Sequence, residues 1–304
     1  MNERFNLHIL GSGSALPTNR RNPSAQLLRY ERECFLIDCA EGTQLQLRKG
    51  KLPFNRIRNI LISHMHGDHM YGLPGLLFSL HLLGKKDGLS VFGPPELKNF
   101  LDFIQASSKS EFGFPLEFHP LVLGGKNLIW ESKLLRVYSF PLDHSIETWG
   151  FLFEEKEKNR KLKKKQVLKL NLAPIQLYEL KHGKDIEIEG IIYKNEDLTN
   201  EPERISSFAY CSDTVFCPSI VPYIENVKCL YHEVTFEHAF AQVAQEKKHT
   251  TTKEAATIAQ MANVERLLIG HFSARYDDVS ILENECREIF PETYAVNDGD
   301  FYQF

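Results

Sequence analysis

The stretch Ser63-His64-Met65-His66-Gly67-Asp68-His69 places three imidazoles and a carboxylate within six positions. Imidazole nitrogen and carboxylate oxygen both suit Zn²⁺, at bonds of about 2.0–2.2 Å. In an extended run His64 and His66 point to the same side. Gly67 permits a tight reversal that would turn Asp68 and His69 towards an adjacent second metal. The rival reading is a polar loop with coincidental histidines, and HxHxDH directly after an apolar strand argues against it. Four ligands from one loop cannot complete two metal shells. His144, Asp213 and His271 each follow a strand-like run and are the candidates for the rest. Singly, such a residue is more often a hydrogen-bonded structural one; together, after HxHxDH, they suggest a ligand set.

These residues need elements to hold them. Phe5 to Leu10 reads as a strand, followed by the loop GSGSALPTNRRNPS. Ala25 to Tyr30 and Cys34 to Asp38 read as a hairpin around Glu31-Arg32-Glu33. Ile57 to Ser63 reads as a buried strand. Leu73 to Leu83 reads as a helix with Pro74 in its first turn. A strand-helix unit follows from Leu89 to about Ser107, and residues 116 to 153 read as successive strands broken by Pro141-Leu142-Asp143-His144. From Glu154 to about Asn200 the pattern loosens into a basic, glycine-punctuated insertion. Alternation resumes at Ser207, and Thr251-x-x-Glu254 fits a capping box opening a helix. Such alternation implies sheets covered by helices, with functional loops at strand ends. Periodicity does not choose between a doubly wound sheet and two packed sheets.

The 304 residues are 42 % hydrophobic and 25 % charged, which excludes disordered, collagen-like and coiled-coil classes. No apolar stretch approaches the roughly 18 residues that span a bilayer. Met1-Asn2-Glu3-Arg4 runs straight into a strand, unlike a secretory signal. Six cysteines without a CxxC pair read as free thiols of a reducing cytoplasm. Net charge is −4, but residues 156–169 hold eight Lys or Arg against one Glu, a local +7 on a body of −11. A charge run is usually a solvated face.

In combination the motifs resemble the ribonuclease Z family of the metallo-β-lactamase superfamily, through nearly the whole chain. Gly11-Ser12-Gly13-Ser14-Ala15 with Arg21-Asn22-Pro23-Ser24 resembles the family's N-terminal loop, and Asp38-Cys39-Ala40-Glu41-Gly42-Thr43-Gln44 its DCGEGTQ motif. HMHGDHMYGLPG from His64 is similar to HLHGDHxxGLPG. Pro141 to His144, Ser212-Asp213-Thr214, His232 to Phe236, His249-Thr250-Thr251 and His271 to Tyr276 follow in family order. Ala40 and Ser212 stand where the family usually has glycine.

The resemblance implies an αββα sandwich spanning 1–304, with an inserted basic arm at 156–187. It implies two Zn²⁺ per subunit, one held by His64, His66 and His144, the other by Asp68, His69 and His271, with Asp213 bridging. Asp68 would also orient a water or accept its proton, His249 would be the general acid, and Glu233 would orient it. The other histidines 8, 81, 119, 182 and 238 match no ligand motif. The arm's Lys156, Lys158, Arg160, Lys161, Lys163, Lys164 and Lys165 would bind phosphates of precursor tRNA, in a cytoplasmic homodimer with no membrane contact. The implied reaction removes the 3′ trailer after the discriminator, leaving a tRNA 3′-hydroxyl and a 5′-phosphorylated trailer. Two other classes remain open: a small-molecule metallohydrolase, which leaves the basic segment unexplained, and an RNA-binding module with a structural metal, which predicts missing ligands or a missing acid.

Overall fold

The computed structural model describes residues 4–304 except Ser110 and Glu203. The chain divides into two compact units, one running to residue 131 and through 136–153 and 206–304, the other 132–135 with 154–205. Among the described residues no helix is long and apolar enough to cross a membrane.

Two seven-stranded sheets organise the larger unit. The first has the order Phe301–Gln303, Phe5–Gly11, Ala25–Tyr30, Glu33–Ile37, Asn59–Leu61, Leu89–Gly93, Leu116–Pro120. Its first four strands pair antiparallel and the remainder parallel. The second has the order Thr293–Ala295, Leu267–Gly270, Cys229–Glu233, Ser207–Cys211, Thr148–Glu155, Leu135–Leu142, Asn127–Glu131, with its first four strands parallel.

Side chains alternate across a strand, so each sheet has two faces to bury. Outward from the first sheet, Leu27, Leu36, Ile60 and Val91 pack with Leu47, Leu76, Leu80 and Leu97 of three helices, Thr43–Lys49, Leu73–Leu82 and Glu96–Ser108. Outward from the second, Ala209, Leu230 and Leu267 pack with Ala255, Ala259 and Leu282 of helices Thr252–Met261 and Ser280–Arg287. Between the sheets aromatic rings meet: Phe35 of the first lies 5.0 Å from Trp130 and 5.2 Å from Phe153 of the second, and Phe208 lies 5.5 Å from Phe304. The layers are helix, sheet, sheet, helix, which is the αββα arrangement. Truncating a buried leucine such as Leu76 to alanine would cost about 2–5 kcal/mol.

Local expectations hold with three differences. Pro74 sits in the first turn of its helix, and Thr251 caps through Glu254, whose Oε2 accepts from the Thr251 amide at 2.9 Å and its hydroxyl at 2.7 Å. The strand expected over 57–63 pairs only at Asn59–Leu61, because Ser63 onward turns away to form the ligand loop. Glu33 belongs to its strand, so the hairpin turns on Glu31 and Arg32, with Glu31 at φ 53°. Gly67 makes no reversal. It opens the short helix Gly67–Met70, and that single turn brings Asp68 and His69 to the site.

The smaller unit has its own apolar centre of Val167, Leu180, Ile186 and Leu198. Two antiparallel pairs, Lys161–Leu162 with Thr199–Asn200 and the hairpin Ile186–Ile188 with Ile191–Tyr193, accompany helix Pro174–Lys181. Over 154–205 the sequence carries 12 Lys or Arg and 11 Asp or Glu. The basic run is therefore answered by acids within the same unit.

Candidate metal centre

The sequence candidates come together at strand ends. His64 follows Asn59–Leu61, His144 follows Leu135–Leu142, Asp213 follows Ser207–Cys211, and His271 follows Leu267–Gly270. Three neighbouring parallel strands of the second sheet thus deliver Asp213, Glu233 and His271 from their C-terminal ends, where loops over a rigid sheet carry function.

Two ligand groups form. His64, His66, His144 and Asp213 make one, and Asp68, His69 and His271 the other. In the first, His64 Nε2 and His66 Nδ1 are 3.1 Å apart, His144 Nε2 and His66 Nδ1 are 3.2 Å apart, and Asp213 Oδ2 lies 3.6 and 3.8 Å from the Nε2 atoms of His64 and His144. In the second, His69 Nε2 and His271 Nε2 are 3.3 Å apart, and Asp68 Oδ2 lies 3.7 and 3.5 Å from them. Asp213 Oδ1 reaches this group too, at 3.4 and 3.3 Å from the same nitrogens.

A tetrahedral ion with bonds of about 2.0–2.1 Å separates its ligand atoms by roughly 3.3–3.4 Å. The observed spacings scatter around that edge length. Asp213 Oδ1 is buried with no hydrogen-bond partner, an uncommon state for a carboxylate oxygen. The residues fit a divalent cation.

Four of the five rings, all but His66, are oriented from behind. His69 Nδ1–H donates to Asp38 Oδ2 at 2.8 Å, and His144 Nδ1–H donates to the Lys248 carbonyl at 2.7 Å. His64 Nδ1 sits 3.0 Å from Ser63 Oγ, and His271 Nδ1 sits 3.0 Å from Thr235 Oγ1. These contacts fix the tautomer that turns Nε2 inward. Asp38 also accepts from the Ser63 amide and hydroxyl and from Tyr210 OH at 2.7 Å. The Ser212 hydroxyl, which glycine would lack, lies 2.9 Å from Ser63 Oγ in the same network. Asp38, Ser212 and Thr235 fall inside noticed motifs, but Tyr210 left no signal, because a supporting residue has no characteristic spacing.

Four non-glycine residues here adopt left-handed backbone: Ala15 (φ 60°), Asp38 (φ 54°), Lys248 (φ 59°) and His271 (φ 64°). Each costs of order 1 kcal/mol, and such strain clusters where geometry is over-determined. At Ala15 the turn aims an amide at Asp68 Oδ2, 2.7 Å away. The loop carrying Ala15 is pinned by Asp298, whose Oδ1 accepts from the Ser12 amide and hydroxyl and whose Oδ2 accepts from the Asn22 amide and side chain, all within 2.7–2.9 Å. Asp298 was not among the sequence candidates.

Electrostatics separate the members. Burial pulls His64, His66 and His144 below the ordinary histidine value. Burial would also lower His69, but Asp213 and Asp38 hold it well above. Burial would raise Asp68 and Asp213, and the facing histidines keep both carboxylates ionised far below their usual range. His249 behaves differently. Its burial is outweighed by Glu233, 3.0 Å from Nδ1, and its pKa rises to about 9. Glu233 is fully buried, and the His249 charge lowers it against that burial. Its Oε1 also accepts from the Thr250 amide at 2.9 Å, and its Oε2 from Thr235. Asp213, His249 and His271 also approach closely enough to ligate an ion, but His249 is set apart from the ligands by its contact with Glu233, 3.0 Å from its Nδ1. The resulting cleft of about 410 Å³ is walled by His66, Asp68, His144, Asp213 and His271 together with His249, Ser14, Ala15, Glu246, Lys247 and Lys248.

The arm candidates have different surroundings. Arg160 donates twice to Glu201 at 2.8 Å and once to Thr199; Lys163 Nζ meets the Glu196 carbonyl at 2.6 Å; Lys158 pairs with Glu155 at 2.6 Å. Lys156 is half-buried, whereas Lys161, Lys164 and Lys165 are exposed.

Comparison with known proteins places this geometry. The family model for anti-Pycsar protein Apyc1 matches residues 5–102. Ribonuclease Z of Porphyromonas gingivalis (strain ATCC BAA-308 / W83) is 43 % identical over 97 % of both chains. Human tRNase Z, short form, superposes with a TM-score of 0.72 at 27 % identity, covering 98 % of each chain. The metallo-β-lactamase fold protein YhfI from Bacillus subtilis superposes at 0.71 and 16 % identity, over 99 % of this chain and 100 % of that one, a likeness of fold. With its αββα layers, a His/Asp cluster at the strand ends that fits a metal ion and a 43 % identical relative along 97 % of its length, the chain belongs to the ribonuclease Z family of metallo-β-lactamase fold hydrolases.

Proposed function

We propose that the protein is a zinc-dependent endoribonuclease that removes 3′ trailers from precursor tRNA, cutting after the discriminator. The observation that carries this reading is the His249–Glu233 pair beside the seven candidate ligands, in a chain 43 % identical to a ribonuclease Z. His64, His66 and His144 would hold one Zn²⁺, Asp68, His69 and His271 the other, with Asp213 between them. When bound, the two ions lower the pKa of a water towards about 7 and neutralise charge on the phosphate's non-bridging oxygens.

The chain's own residues supply the rest. Asp68, kept ionised and with Oδ2 held by the Ala15 amide, orients the attacking water. His249 carries a proton at neutral pH because Glu233 faces it, and gives that proton to the departing O3′. Lys247 at the rim adds positive charge where the RNA backbone passes, while Lys248 is paired with Asp143 at 3.0 Å. In the smaller unit, Lys161, Lys164 and Lys165 offer exposed ammonium groups to phosphates, while Lys156, Lys158, Arg160 and Lys163 contribute mainly by shaping the unit. The protein works in the cytoplasm as a homodimer, each subunit's arm holding tRNA for its partner.

End-mapping of products from an unmodified precursor tRNA, using purified, metal-analysed protein, tests this reading. A cut after the discriminator, with a 3′-hydroxyl on the tRNA and a 5′-phosphate on the trailer, is expected. Hydrolysis of a small phosphodiester without precursor cleavage would reject it in favour of a small-molecule hydrolase.

A further inference from the structure

Ser212 stands where the family usually has glycine, and neither the ligand set nor the acid makes use of it. It follows strand Ser207–Cys211 and immediately precedes Asp213. Its Oγ lies 2.9 Å from Ser63 Oγ, which is itself 3.0 Å from His64 Nδ1 and 3.0 Å from Asp38 Oδ2. Asp38 Oδ2 in turn lies 2.8 Å from His69 Nδ1. Ser63 therefore sits between a ligand of the first group and the carboxylate that orients a ligand of the second. All five residues are at most 1 % exposed, so bulk water does not compete for these bonds.

The number of hydrogens gives this chain of contacts a direction. A hydroxyl donates one hydrogen and accepts two, whereas a carboxylate only accepts. The Ser63 hydrogen therefore points to Asp38 Oδ2, and the other two neighbours of Ser63 Oγ must donate to it: Ser212 Oγ–H and His64 Nδ1–H. That state leaves His64 Nε2 bare on the side where it faces His66 and Asp213. If Ser63 instead gave its hydrogen to His64 Nδ1, a Ser63 lone pair would face the carboxylate. The imidazole hydrogen would then sit on Nε2, the nitrogen that ligation needs. Without the Ser212 hydroxyl, Ser63 is held by two partners in place of three, and one lone pair of a buried oxygen lacks a donor.

We propose that Ser212 is a positioning residue for both metal groups. By donating to Ser63 it fixes the Ser63 hydrogen on Asp38, and so holds His64 and His69 together with their hydrogens on Nδ1. The inference rests on the two-zinc reading of the site and adds a residue behind it. The rings are ordered by folding, before an ion arrives, so the contribution belongs to metal affinity.

The test titrates full-length, metal-free protein with Zn²⁺ against a chromophoric chelator, which reads binding without turnover. Ser212→Ala should weaken the binding of both ions by roughly two- to tenfold, the range of one hydrogen bond. Ser212→Gly, which restores the residue usual in the family, should match it, and Ser212→Thr, which keeps the hydroxyl, should bind as wild type does. In a Ser63→Ala background, Ser212→Ala should have no further effect, because the group it acts through is gone. Nitrogen NMR of the metal-free protein gives a second readout: His64 carries its hydrogen on Nδ1 in wild type and divides between tautomers in Ser212→Ala. Unchanged affinity in both Ser212→Ala and Ser212→Gly would overturn the proposal, as would weakening confined to one ion. So would a loss that persists undiminished in the Ser63→Ala background, which would make Ser212 a packing residue. Wild-type protein that takes up no Zn²⁺ would overturn the proposal together with the metal reading.

Discussion

At the residue scale, Asp213 is the atom-economical choice for disruption. Its two oxygens face different ligand groups, and Oδ1 has no other partner. Asp213→Ala should lower metal occupancy in both groups and abolish most turnover; two tightly held ions with near-normal rates would contradict it. His249 gives a complementary prediction. His249→Ala should keep its metals and bind precursor tRNA but cleave it about 10²–10⁴-fold more slowly in single turnovers. In metal-free protein its imidazole should titrate near pH 9 by NMR, and Glu233→Gln should bring it down, since burial then dominates. The linkage has a definite sign. A raised histidine stabilises fully below its ordinary 6.5 and loses that contribution as pH climbs through about 9. Glu233, lowered, contributes above its ordinary 4.5 and loses it as pH falls through its depressed value. Metal-free protein should therefore be less stable above pH 9, and Glu233→Gln should flatten that decline.

At the element scale, the smaller unit decides how the arm can be tested. Removing 156–187 would strand Thr199–Asn200 without its partner Lys161–Leu162 and split Leu180 and Ile186 from Leu198. Joining Glu155 to Ser206 through a short turn removes 156–205, both strand pairs and the apolar centre together. That variant should raise the apparent KM for precursor tRNA and leave small phosphodiester hydrolysis unchanged. Lys164→Glu with Lys165→Glu should act in the same direction and lower the slope of log affinity against log salt by about 1–2. An unchanged slope would make the basic run a solvated surface. Sequence legibility also divides at this scale. Ligands announced themselves because metal chemistry restricts residue type, and strands could be bounded because their ends carry those ligands. The smaller unit could not be read that way: its short strands lack a sustained period, and its ion pairs join residues as distant as Arg160 and Glu201. Gly67 misled because glycine signals permission for a reversal, and the chain used a helical turn instead.

At the scale of the whole molecule, metal binding should support the fold. The larger unit buries Asp213, His64, His69 and His271 almost completely, so an ion held by them would bind the folded chain and not the unfolded one. A ligand present at a hundred times its dissociation constant stabilises by about 2.7 kcal/mol, so chelation should lower Tm by several degrees. An unchanged melting curve after verified metal removal would show that the cluster is held by protein contacts alone.

The carboxylate of Asp298 closes a loop from the opposite end of the chain, binding Ser12 and Asn22 across 286 and 276 positions of sequence. That closure sets when in the protein's life its chemistry can begin. A nascent chain that has not yet exposed residue 298 leaves the loop that braces Asp68 unfastened. Until residue 298 is free to fold back, the nuclease should stay unarmed amid the tRNAs crowding the ribosome that makes it.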